Sequence, residues 1–151
     1  MSKQIEIEFE RGGKFILSLL EDEAPKTCKL VWDALPIESE AQHAQYSGQL
    51  MFWFTPTIRF DELENPKLMG LFPGDLTFNP HFLHKLHVQT PSVAVPQEML
   101  YVYGGCIPAD WCGPSPVNHF AKTVQGSLEE LVEIGKRTRR QGFEKVWMRR
   151  K

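Results

Sequence analysis

Residues 4 to 20 read QIEIEFERGGKFILSLL, and this stretch leaves the chain one local solution. Gln4 to Phe9 alternates polar with apolar residues, so a strand made from it buries one face and wets the other. Arg11-Gly12-Gly13-Lys14 supplies the residues a tight hairpin turn needs, and Lys14 to Leu20 resumes as a second strand. A chain that begins with a β-hairpin has two strand edges to cover, and residues further along must supply the strands that cover them.

The remaining sequence does so in short pieces. Pro25 sits where a first helical turn would lie, and Cys28, Val31, Trp32 and Leu35 recur at helical spacing until Pro36 stops them. From Ile37 to Phe54 two strand-like runs flank Tyr46-Ser47-Gly48-Gln49, a second hairpin signal. Thr55 to Pro73 is broken by Pro56, Pro66 and Pro73 and reads as irregular. Asp75 to Phe78, Glu98 to Tyr103 and about Val117 to Gln125 read as further strands. Ser127 is placed as the N-cap and Glu130 as the N3 residue of a capping box for a helix carrying Leu128, Leu131, Val132 and Ile134. Phe143 to Met148 closes the chain as a strand. So many short strands with only two short helices predict a mainly β fold, a closed barrel of about eight strands capped by two α-helices, in one domain over residues 1–151.

Composition narrows the function classes. At 151 residues the chain can bury a core without disulfide or metal, and 24% charged with 42% apolar residues is ordinary globular usage. A net charge of −2 gives no global attraction to nucleic acid. Met1 to Glu10 carries three glutamates and no long apolar run, and no stretch approaches membrane-spanning length, so a cytoplasmic protein without a membrane role is expected. Cys28 reads as a small buried hydrophobe, and Cys106 and Cys112 as free thiols, since their spacing fits no common zinc pattern. No cofactor is expected. Eight of the seventeen basic residues lie from Lys136 onward; a cationic helix end accounts for most of them, with an acidic partner surface or a neighbouring subunit of a homo-oligomer as the sharper alternative.

Several motifs resemble a known fold family. NHFAKTVQGSLEELVEIG looks like the end of a cyclophilin-type barrel, with Phe120, Lys122, Val124 and Gly126 in the places of its Phe-Gly-Lys-Val-Val and Glu-Gly run, and Asp110-Trp111 resembles the cyclophilin tryptophan loop. Together with ESEAQHAQYSG, FPGDL and LYVYGG, these residues are similar to a bacterial family of cyclophilin-like proteins of unknown function, from Ile5 to about Gly142. The resemblance implies a barrel with a groove and Trp111 in its wall. It does not imply prolyl isomerisation: Gln42-His43-Ala44 lacks the arginine of the Phe-His-Arg motif, Leu50 to Phe54 lacks the following glutamine and glycines, and Val117 stands where the active-site histidine is expected.

Two histidines are the leading site candidates. Alternation puts His43 on one face with Ile37, Ser39 and Ala41, and His119 on one face with Val117, Ala121 and Thr123, so both are expected to point inward and to border one pocket. Tyr46, Tyr101, Tyr103, Trp111 and Asn118 are candidates for the same pocket wall. The alternative for each ring is a structural histidine satisfied by nearby backbone. His81, His84 and His87 form H-x-x-H-x-x-H in an irregular insertion, expected to be exposed loop or a short helical turn and without metal for want of further ligands nearby. Ser47 lies four positions from His43 but without a recognisable base or oxyanion hole. The expected function is therefore binding of a small molecule or short peptide; the rival is an enzyme on small amides or peptides with His43 and His119 as acid and base.

Overall fold

The computed structural model describes residues 1–82, 96–111 and 113–151. The first hairpin joins β1 (Gln4–Phe9) to β2 (Lys14–Leu19), with Glu8 opposite Lys14 and Gln4 opposite Ser18. Helix α1 (Pro25–Ala34) comes next, with proline in its first turn and Thr27, Cys28 and Val31 buried. After it lie β3 (Ile37–His43), β4 (Gly48–Phe54), the two-residue β5 (Pro66–Lys67), β6 (Asp75–Asn79) and β7 (Glu98–Cys106). A small ribbon pairs β8 (Ala109–Asp110) with β9 (Gly113–Pro114). The chain ends with β10 (Val117–Gln125), α2 (Leu128–Gln141) and β11 (Glu144–Arg150).

Every pairing is antiparallel, and the order β2-β1-β11-β3-β4-β7-β6-β10 is closed by β10 pairing back onto β2. The result is a mainly β closed eight-stranded barrel with two helices among the described residues, as the strand count predicts. Closure leaves no free edge on those eight strands. The interior is solid. Phe9, Phe15, Trp53 and Tyr101 meet at its centre, mostly edge to face, and each is at most 2% exposed. Burial raises the Tyr101 phenol well above its ordinary range, although its hydroxyl is hydrogen-bonded to Thr123 Oγ1 at 2.7 Å.

Helix α2 lies over β3, β4 and β7. Ser127 Oγ accepts from the Glu130 amide at 3.2 Å, Glu129 and Glu130 occupy the positive end of the helix, and Arg139 and Arg140 the negative end. Gly135 lets the helix approach closely, since a Cβ there would fall 2.3 Å from a ring carbon of Tyr103. No described helix is long and apolar enough to cross a membrane.

One expectation about strand faces needs correction. Ile37 and Ala41 do point into the core, but His119 does not follow the inward face of β10. A β-bulge between His119 and Ala121 is the reason: Asn118 lies opposite the core residue Phe78 and Ala121 opposite Leu76, while His119 lies opposite Thr77, whose neighbours Leu76 and Phe78 point inward. Phe120 and Ala121 are both in the core, which simple alternation forbids and a bulge permits.

Candidate functional site

The barrel interior is filled, so the candidate pocket lies on the outer wall of β4 and β7. Met51 and Trp53 of β4 and Met99 and Tyr101 of β7 point into the core. Their alternates Leu50, Phe52 and Phe54, with Glu98 and Leu100, must then point out. Register sets Phe52 opposite Leu100 and Phe54 opposite Glu98. These outward residues form one side of a concave pocket of about 400 Å³, which the end of β3, the β3–β4 turn, Pro96, Phe143 and the Ala109-Asp110-Trp111 segment complete.

Ser47 fastens that segment down. Its hydroxyl accepts from the Ala109 amide at 2.9 Å and donates to the Ala109 carbonyl at 3.0 Å, while the Ile107 amide donates to the Ser47 carbonyl at 2.9 Å. The hydroxyl is a structural clamp, which accounts for a buried serine at this turn.

The polar floor of the pocket is His81 with two carboxylates. Asn79 places the ring: its Oδ1 accepts the His81 amide at 2.9 Å, and His81 takes the left-handed φ of 52°, a conformation that asparagine, aspartate and histidine tolerate better than most side chains. The imidazole Nε2 lies 3.7 Å from Glu98 Oε1 and Nδ1 lies 3.6 Å from Asp110 Oδ2, so it is an ion-pair partner of both at distances too long for hydrogen bonds. Neither ring nitrogen has a hydrogen-bond partner, and the residue is only 7% exposed. Burial pulls the ring down, but Glu98 and Asp110 outweigh it and hold it above the ordinary histidine range. His81 is thus not the exposed loop residue expected of the histidine insertion; Asn79 and the two acids draw it in. His84 and His87 lie outside the described residues, as does Cys112.

His43 stands at the pocket's edge. Its Nδ1 donates to the Ala44 carbonyl at 2.8 Å, which makes Nε2 the acceptor for the Tyr103 hydroxyl at 2.7 Å. Burial is the main influence on this ring and holds it below its ordinary range, opposed by the Ala44 carbonyl and assisted by the charge of Arg139. Burial thus favours the neutral imidazole, which is hydrogen-bonded at both nitrogens.

The other sequence candidates divide. Tyr46 and Trp111 line the pocket at its rim, 61% and 65% exposed. Tyr101 belongs to the barrel core, and Tyr103 is buried behind His43. Asn118 is fully buried and latches the irregular 58–65 segment, accepting from the Glu64 amide and donating to the Glu62 carbonyl, each at 2.9 Å. His119 is held by Asn65, whose side chain donates to its carbonyl at 2.8 Å, and its Nε2 lies 3.2 Å from Asp75 Oδ1. It is not among the residues that line the pocket bordered by His43. His81, Glu98 and Asp110 were not singled out as a group by sequence; the signal available was β4 itself, where Leu50 to Phe54 is apolar on both faces and therefore needs a covered outer face.

Among the described residues no group of three or more histidines, cysteines and acids is placed to hold a metal ion. Burial pushes the Cys28 thiol up to about 12 and the Cys106 thiol up to about 11, so neither is an activated nucleophile.

Fold and pocket together define a closed antiparallel barrel with an apolar-walled cleft on its outer surface. The chain belongs to the family described as protein of unknown function DUF3830, whose model matches residues 7–149. No curated protein matches it. Among solved structures it is similar to McbB in complex with tryptophan, with TM-score 0.73 and 22% identity over 98% of this chain. The match spans 45% of the McbB chain. It is also similar to the hypothetical protein AF2241 from Archaeoglobus fulgidus, with TM-score 0.65 and 21% identity over 99% of this chain and 95% of the other. Both likenesses are likenesses of fold.

Proposed function

We propose that the protein binds a small molecule, or one side chain of a short peptide, in the outer-wall pocket, and that it does so without cyclophilin-type prolyl isomerisation. The observation that carries this reading is the combination of a concave space of about 400 Å³, apolar walls from Leu50, Phe52 and Leu100, and a buried imidazole at its floor with no hydrogen bond on either nitrogen. A pocket of that size and polarity is the usual form of a small-ligand site. McbB, which shares the fold, has been seen with tryptophan, a molecule of suitable size. Kinship with the cyclophilins is part of the proposal, as is the assignment of the chain to one cytoplasmic domain. The motif arginine is still missing beside His43, where Ala44 stands.

A second reading, an enzyme on small amides or peptides, is favoured by one feature. An imidazole flanked by carboxylates in an apolar cleft is the arrangement a general acid–base group needs. His119 lies elsewhere, so within that reading His81 takes the proton-transfer role.

The test is a fragment screen followed by NMR, with the Trp111 indole and the His81 ring as reporters. Binding is expected to move both signals together. Fragments that bind while leaving both unmoved would sink the pocket assignment, and a prolyl isomerase rate typical of cyclophilins would overturn the second half of the proposal.

A further inference from the structure

The charge of the pocket selects among ligands. Among the described residues lining it there is no lysine or arginine; the ionisable groups are Glu98, Asp110, Tyr46 and the imidazoles of His43 and His81. Burial holds His43 below the ordinary histidine range, which disfavours its charged form. His81 can bring one positive charge, but it lies as close to Asp110, at 3.6 Å, as to Glu98, at 3.7 Å. Asp110 has further partners besides. Glu98 receives its hydrogen bond from the neutral amide of Asn79, at 3.2 Å. Its side chain is 14% exposed, and it stands directly across from Phe54 on an otherwise apolar wall. A carboxylate so placed has lost most of its water without gaining a cation of its own among the described residues, a situation that favours a charged hydrogen-bond donor arriving with the ligand.

Resting on the reading of this pocket as a ligand site, we propose that the ligand is an amine with an aromatic or branched apolar body, its ammonium held at Glu98 beside His81 and its body lying on Phe52, Leu100 and Trp111. The buried imidazole is the independent support. Both of its nitrogens lack a hydrogen bond. In the neutral tautomer that keeps the proton on Nδ1, toward Asp110, Nε2 is an acceptor beside Glu98, so an arriving ammonium with three N–H donors can serve the carboxylate and Nε2 together, its charge standing in for that of the imidazolium. An anionic ligand would meet the Glu98 carboxylate. A neutral one would leave Glu98 as it is.

Three probes of one shape separate the possibilities: 2-phenylethylamine, the neutral 2-phenylethanol and the anionic 3-phenylpropanoate, each titrated at neutral pH and low salt and followed by NMR. The amine is expected to bind at least ten-fold more tightly than the alcohol, and the carboxylate more weakly than either. Glu98→Gln, checked for folding by its thermal transition, is expected to remove the preference for the amine. Equal affinity of amine and alcohol, or tighter binding of the carboxylate, overturns the ammonium assignment and leaves the pocket reading standing. If none of the three moves the Trp111 and His81 signals, the pocket reading fails and the assignment fails with it.

Discussion

The Nε2 atom of His43 sits 2.7 Å from the hydroxyl of Tyr103, across two strands that are not neighbours in the sheet. Ring and phenol meet where α2 passes over the barrel, and the close approach of Gly135 to Tyr103 fixes the phenol there. Tyr103→Phe is expected to leave the fold intact and cost about 1 kcal/mol, the usual net loss of one partly buried hydrogen bond. Urea denaturation would measure it; no change in midpoint would mean that water replaces the hydroxyl.

His43 and His81 should titrate on opposite sides of the ordinary histidine value, about 6.5. Burial lowers His43, so its contribution to stability is present above that value and is lost as pH falls through its folded pKa. The net effect on His81, set by Glu98 and Asp110 against burial, is a raised pKa. Its contribution is complete below the ordinary value and is lost as pH rises through the folded pKa. Imidazole NMR titration checks the order of the two rings, and a His81 midpoint below that of His43 would contradict the ion pairs.

Ser47→Ala removes both hydrogen bonds that fasten Ala109 to the β3–β4 turn. A loss of about 1–2 kcal/mol is expected, with the pocket wall loosened more than the barrel. Hydrogen exchange at the Ala109 and Trp111 amides should accelerate while that of the β1 and β11 amides does not.

Arg137 grips the fully buried carboxylate of Glu144 through two hydrogen bonds, at 2.8 and 2.9 Å, and the Arg11 amide adds a third at 3.0 Å. Arg137→Ala leaves that carboxylate buried without its cation and is expected to cost about 3 kcal/mol. Replacing Glu144 by glutamine in the same variant should recover part of the loss. A thermal transition of Arg137→Ala equal to that of the parent protein would show that the pair adds nothing.

What the sequence determined by itself is the set of barrel strands, the two helices and the closure of the barrel. Alternation around Gly12-Gly13, the prolines flanking α1 and the Ser127–Glu130 capping box are signals within a few residues of what they specify, and local backbone preference is sufficient to read them. Tertiary structure alone decided the site. Alternation divides a strand into two faces without saying which faces inward, and the bulge at His119 shifts the assignment by one residue, so a histidine expected in the pocket lies beside Asp75. Conversely, His81, Glu98 and Asp110 carry no common motif. They meet because β7 turns Glu98 outward, Asn79 sets the backbone of His81, and Ser47 ties down the segment that bears Asp110, three independent constraints whose intersection exists only after the barrel has closed.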